Sequence, residues 1–281
     1  RSTLFPYTTL FRSEVEINSF INELYVKTII TQKIRNETDF CSPSDFYDGD
    51  KAKLKFQDDS LITHISESID MNLLSLIYKQ IVDIKNMEVL AYFVDINLDN
   101  YEVSQEKISE VIKRRKLEKK VTNYIINNVF KEEKLFYNKT KAYLNIFIDL
   151  DLNNIDNTFI SFMKKNLSFY KIKPEYVTFI MADSNNQVAR NLVKLGFMIA
   201  SKDMLDIYRN NIKYFVIDFK KDKNILSEIN EVCSKKDIKL IIAGIDLIDD
   251  LNYIKENDYQ YIYGNYYKKI NRMKDIIKKV E

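Results

Sequence analysis

The sequence predicts an α/β fold of the (β/α)8 TIM-like barrel kind, preceded by an N-terminal helical segment and a linker. Three observations carry this expectation. Strand-like runs alternate with amphipathic helices over most of the chain, and units of that kind form around a parallel sheet. Acids recur at or just after the predicted strand ends, where a barrel gathers its functional residues. Only four Gly and three Pro are present, too little turn chemistry for an all-β protein. The alternation alone fits an open doubly wound sheet as well.

The chain has 281 residues, of which 46% are hydrophobic, an ordinary share for a globular protein. Its 43 basic and 41 acidic residues leave a net charge of +2, which supports neither a nucleic-acid nor a membrane-surface role. Cys41 and Cys233 match no metal spacing and read as two reduced thiols rather than a disulfide. No apolar run approaches the roughly 20 residues a membrane helix requires, and no long apolar h-region opens the chain. A cytoplasmic location is expected.

Residues 3–13, TLFPYTTLFRS, resemble a translated sequencing adapter, so residues 1–13 are set aside as an artefact. Residues 14–70 form the N-terminal segment. A helical pattern runs to about Ile34, with Val15, Ile17, Phe20, Ile21, Leu24 and Tyr25 on one face. A turn-rich linker follows to Gln57, then a second helix from Asp58 to Met71 that carries His64, the single histidine. A general-base role for His64 has no evident partner, and an ordinary helix histidine is the preferred reading.

Residues 71–281 are predicted to form the barrel. Leu73–Val82 and Val89–Ile96 read as an antiparallel hairpin around Lys85-Asn86, followed by helical segments through Phe130. The basic run Lys113-Arg114-Arg115-Lys116 is flanked by Glu110 and Glu118, so a solvated helix face is preferred over a phosphate patch. Strands are then predicted at Tyr143–Leu150, Tyr176–Met181, Phe197–Ala200 and Tyr214–Ile217. Helices are predicted at Asp156–Phe169, Asn186–Leu195 and Ile225–Cys233. A last βαβ unit closes the series: Leu240–Ile242, a helix bearing Leu247, Ile248, Leu251 and Ile254, and Tyr259–Tyr263 running into Gly264.

The acids at the strand ends are Asp95, Asp149, Asp151, Asp183, Asp203, Asp218 and Asp246. Oxygen ligands converging from several strands are what Mg²⁺ or Mn²⁺ requires. Acids in such places also cap helices and keep loop mouths solvated, and on spacing alone this second reading is preferred.

From Met71 to Ile270 the order of motifs resembles the EAL domain, the bacterial barrel family that hydrolyses cyclic di-GMP. Tyr78-Lys79-Gln80-Ile81-Val82-Asp83 resembles the family's YQPIVD strand, and Val103–Ile108 its SPxxF stretch. Leu195-Gly196-Phe197 is similar to LGV, Ile217-Asp218 to the end of KID, Gly244-Ile245-Asp246 to GVE, and Tyr261–Gly264 to Y-x-Q-G. The resemblance then implies where the family's chemistry falls. The Glu of the EAL signature falls at Phe93, and its Arg extension at Asn97. The Asn ligand falls at Asp149, the two Glu of E-x-T-E at Ile180 and Asp183, and the paired aspartates at Lys202 and Asp203. The catalytic Lys falls at Val216, just before Asp218. The two Glu of EGVE fall at Ala243 and Asp246, the final Gln at Tyr263, and a substrate-binding Gln at Lys79.

Phe93, Ile180, Val216 and Ala243 carry no side-chain atom that coordinates a hard cation, and Lys202 brings a positive charge to a metal position. The glycine-containing loop expected after Asp203 is replaced by Met204–Tyr208 and shortened. The resemblance therefore implies a degenerate member, a pseudoenzyme with no catalytic residue and no metal, that serves as a binding or interaction module in bacterial signal transduction. Asp149, Asp203 and Asp246 are the weak candidates for a residual cation. Cyclic di-GMP stays open as a ligand, a protein or an upstream domain as a partner, and a homodimer as an assembly. The alternative is a divergent phosphodiesterase using Mg²⁺ or Mn²⁺.

Overall fold

A computed structural model describes residues 61–63, 65–97, 110–113, 116–152, 155, 158–209, 212–267 and 272–280. The N-terminal helix and linker, Cys41, His64, Val103–Ile108 and the centre of the basic run lie outside the described residues. The chain divides into compact units at residues 1–64 and 65–281, and the second unit holds the barrel.

Eight strands close it in chain order: β1 Ser75–Asp83, β2 Glu88–Asn97, β3 Ile146–Asp149, β4 Val177–Met181, β5 Met198–Ser201, β6 Tyr214–Asp218, β7 Lys239–Ala243 and β8 Tyr261–Tyr263. β1 runs antiparallel to both neighbours, pairing Lys79 with Phe93 on β2 and Val82 with Ile262 on β8. The other pairs, from β2 to β8, are parallel. Closure removes the sheet edges that an open doubly wound sheet would leave.

The helices are α1 Glu118–Thr140, α2 Phe159–Tyr170, α3 Gln187–Lys194, α4 Met204–Arg209, α5 Phe219–Asp222, α6 Leu226–Lys235, α7 Ile248–Glu256 and α8 Met273–Val280. The predicted helix after β2 stops at Phe130, but α1 continues to Thr140. Glu133 and Phe136 keep its inner face buried for nearly two further turns. A left-handed Lys141 then ends it, with its N–H on the Tyr137 carbonyl at 2.9 Å. The short helices α4 and α5 and the C-terminal α8 were not anticipated. Periodicity over four to eight residues is too brief to separate a helix from a loop.

The strands are buried on both faces, as a barrel lined by helices demands. One face fills the interior: Ile81, Ala91, Phe147, Ile180, Ala200, Val216 and Ile241 form one buried cluster, with Phe93, Tyr214, Ala243, Tyr261 and Tyr263 against it. The other face meets the helices. Phe215, Ile217, Leu240, Ile242 and Ile262 join Leu226, Ile229, Cys233, Leu251 and Ile254 in a second cluster. Each such side chain stabilises the fold by about 1.5–3 kcal/mol on burial. Period-two alternation thus fixes which residues reach the barrel axis, and therefore the mouth.

Candidate functional site: the barrel mouth

The C-terminal ends of β2 to β8 meet at one mouth. Alternation from the interior carries Phe93 and Asp95 inward on β2, and Lys79 inward on β1 opposite Phe93. The Phe93 ring lies 5.2 Å from the Tyr263 ring with the planes 16° apart. This stack joins β2 to the end of β8. The Lys79 ammonium sits 5.9 Å from the Phe93 ring centre and 3.4 Å from Asp95 Oδ2.

Three acids surround the stack. Burial first, then the negative charges of Asp149, Asp95 and Asp218, push the Tyr263 phenol far above its ordinary range. Tyr263 is therefore a neutral hydroxyl at any physiological pH. Burial also pushes the Asp95 carboxyl up, against the pull of Lys79 and the Ile96 N–H, and the charge of Asp149 adds to the rise. Ammonium groups answer these acids. Lys202, after β5, donates to Asp149 across β4. Lys221 lies 3.2 Å from Asp218, and the same carboxylate caps α5 through the Lys220 N–H at 3.0 Å.

The last two loops are tied by backbone. Gly244 takes φ +83°, a conformation L side chains rarely adopt, and its N–H meets the Tyr263 carbonyl at 3.0 Å. A Cβ on Gly264 would lie 2.2 Å from the Ile245 carbonyl oxygen, so only glycine allows this approach. Asp246 Oδ2 accepts from the Lys220 ammonium at 2.5 Å, and Oδ1 from the Asn265 N–H at 2.9 Å. Burial raises the Asp246 carboxyl, but Lys220 and Asn265 outweigh it and hold the group below its ordinary range.

The structure thus brings together Phe93, Asp149, Lys202, Asp218 and Tyr263 from the positions picked out in the sequence. Ile180, Val216 and Ala243 share the interior face with them, Ile180 in register with Asp149 and Ala243 with Asp218 and Tyr263. Asp183 and Asp203 serve their own loops instead. Asp183 accepts from the Asn185 N–H at 2.8 Å, and Asp203 from the Leu205 N–H at 3.0 Å.

Lys220 was missed by the sequence reading, because its partner Asp246 is 26 residues away. Asp206 was missed as well. It is 1% exposed, and its Oδ2 accepts from the Ser201 hydroxyl at 2.6 Å and the Ser184 N–H at 2.8 Å. Its Oδ1 is buried with no hydrogen-bond partner among the described residues. No local sequence signal separates Asp206 from an exposed loop acid.

The donor set does not fit the Mg²⁺ or Mn²⁺ centre that the sequence resemblance brings to mind. Asp149 and Asp246 are each neutralised by an ammonium, and Asp203 caps backbone. No three Asp, Glu, His or Cys side chains gather in a metal-holding group among the described residues. No described helix is long and apolar enough to cross a membrane.

No protein-family model and no curated protein matches the chain. Solved structures do. An EAL enzyme bound to cAMP and cyclic di-GMP aligns with TM-score 0.66 and 14% identity, over 83% of this chain and 71% of that one. The PaMucR phosphodiesterase in complex with c-di-GMP aligns with TM-score 0.64 and 12% identity, over 77% of this chain and 99% of that one. The Xanthomonas citri FimX EAL domain in complex with c-di-GMP aligns with TM-score 0.61 and 10% identity, over 76% and 94%. At such identities the likeness speaks for the backbone, and it agrees with the closed α/β barrel. By fold, the chain is an EAL-type α/β barrel.

Proposed function

We propose that this domain performs no hydrolysis and acts as a binding or interaction module in cyclic di-GMP-type signalling. One observation carries the reading: side chains of the mouth are engaged with one another. The Phe93–Tyr263 stack ties β2 to β8 over β1, and ammonium groups sit on Asp149 and Asp246, which could otherwise take a cation. Ile180, Val216 and Ala243 on the same interior face offer no side-chain oxygen to a hard ion. Water activation by two metals needs several carboxylates aimed at one point, and here the carboxylates are paired singly. Similar barrels are solved with cyclic di-GMP bound, which keeps that nucleotide as the first ligand to try. A protein partner fits the same reading, because an interaction module needs no open mouth.

The alternative is a divergent phosphodiesterase, favoured by Asp95 and Asp149 lying near one another at the mouth. Incubating the full chain with cyclic di-GMP and Mg²⁺ or Mn²⁺ separates the two. We expect no turnover. Turnover that disappears in Asp149→Ala or Asp203→Ala overturns the non-hydrolytic reading.

A further inference from the structure

We propose that a cleft on the outside of the barrel, between α1 and α8 over the start of β1, binds a small amphiphilic anion: an apolar chain carrying a carboxylate or phosphate head. The cleft encloses about 440 Å³, within the range of roughly 300–1,000 Å³ that small-molecule sites occupy. Its floor is apolar. Leu76 from β1 and Met273 and Ile277 from α8, one helical turn apart, form it, and Leu135 from α1 stands 47% exposed as one wall.

The rim is cationic on both sides. Lys139 stands on α1, opposite Arg272, just before α8, and Lys274 and Lys278 along α8. Lys139, Lys274 and Lys278 are exposed, and none of the three is held in an ion pair among the described residues. One acid lines the cleft, Glu132. Its Oε2 already accepts the Tyr78 hydroxyl at 2.6 Å, and burial pushes its carboxyl up toward the neutral form. An apolar body fits the floor, and an anionic head meets the rim without opposing a free carboxylate. The cleft shares no residue with the mouth, so this inference stands apart from the function proposed for it.

The test is calorimetric titration of the full chain with dodecanoate and with dodecyl phosphate below their micelle concentrations, and with neutral dodecyl maltoside. Either anion should bind one to one with a dissociation constant on the order of tens of micromolar. Binding should weaken about tenfold in the pair Lys139→Glu/Lys278→Glu and about tenfold in Leu135→Asp. The remote Lys164→Glu should leave it unchanged, with thermal melts checking that each variant folds. The arm that binds more tightly tells a carboxylate head from a phosphate. Equal binding of the maltoside overturns the proposal, as does indifference to the cleft variants. Loss in Lys202→Ala alone would move the ligand to the mouth and overturn it too. So would tighter binding of a Glu- and Leu-rich peptide than of either anion.

Discussion

Phe93 and Tyr263 stack across the barrel mouth at 5.2 Å, joining the second strand to the last. Neither side chain coordinates a cation, and together they fill space that a polar site would leave open. A double-mutant cycle with Phe93→Leu and Tyr263→Leu should give a coupling of about 1 kcal/mol beyond the separate losses, read from denaturant unfolding. Additive losses would mean that the rings merely lie near one another.

Gly264→Ala should destabilise the fold by about 3 kcal/mol. The added methyl meets backbone, with the Ile245 carbonyl oxygen at 2.2 Å and its nitrogen at 2.5 Å, and backbone cannot rotate aside. The β7–α7 loop must shift, so Asp246 should also lose its bond from Asn265. Thermal unfolding checks the first effect and amide exchange at Asn265 the second.

Lys202→Asp should introduce Mn²⁺ binding, read by electron paramagnetic resonance. The change removes the ammonium that Asp149 accepts from and puts a carboxylate in its place. Metal affinity rises with the number and charge of oxygen ligands. Lys202→Ala should cost less than about 1 kcal/mol in stability, because both partners are substantially exposed.

Glu133 gives the fold a pH dependence. It is fully buried, its Oε1 accepts from the Leu144 N–H at 3.0 Å, and its Oε2 has no partner among the described residues. Burial raises its carboxyl from 4.5 to about 7 despite that bond. The folded state therefore holds its proton more tightly than the unfolded chain. The contribution of this group is fully present below pH 4.5 and is lost as pH rises through about 7. The loss from this group is about 3 kcal/mol by linkage. Glu133→Gln, which keeps an acceptor for Leu144, should flatten that fall. An unchanged pH profile would mean that Glu133 does not carry it.

Much of this was legible in the sequence. The alternation of runs such as Ile146–Asp149 and Phe159–Tyr170 set a parallel α/β architecture, because period two and period 3.6 are imposed by backbone geometry, while closure into a barrel is seen in the structure. The resemblance singled out Ile180, Val216 and Ala243, and the structure places all three on the interior face. Identity alone says that none of them binds a hard cation. Only the tertiary structure decided what became of the remaining acids. Asp149 meets Lys202 at a separation of 53 residues, and Asp246 meets Lys220 at 26. Parallel pairing from β3 through β5, and of β6 with β7, brings those partners together, and no local pattern encodes them. The same holds for Asp206, whose bonds to Ser184 and Ser201 follow from the packing of α4 against the loop after β4 and the end of β5. Residue type fixed what each side chain can do; the closed sheet fixed which partner reaches it first.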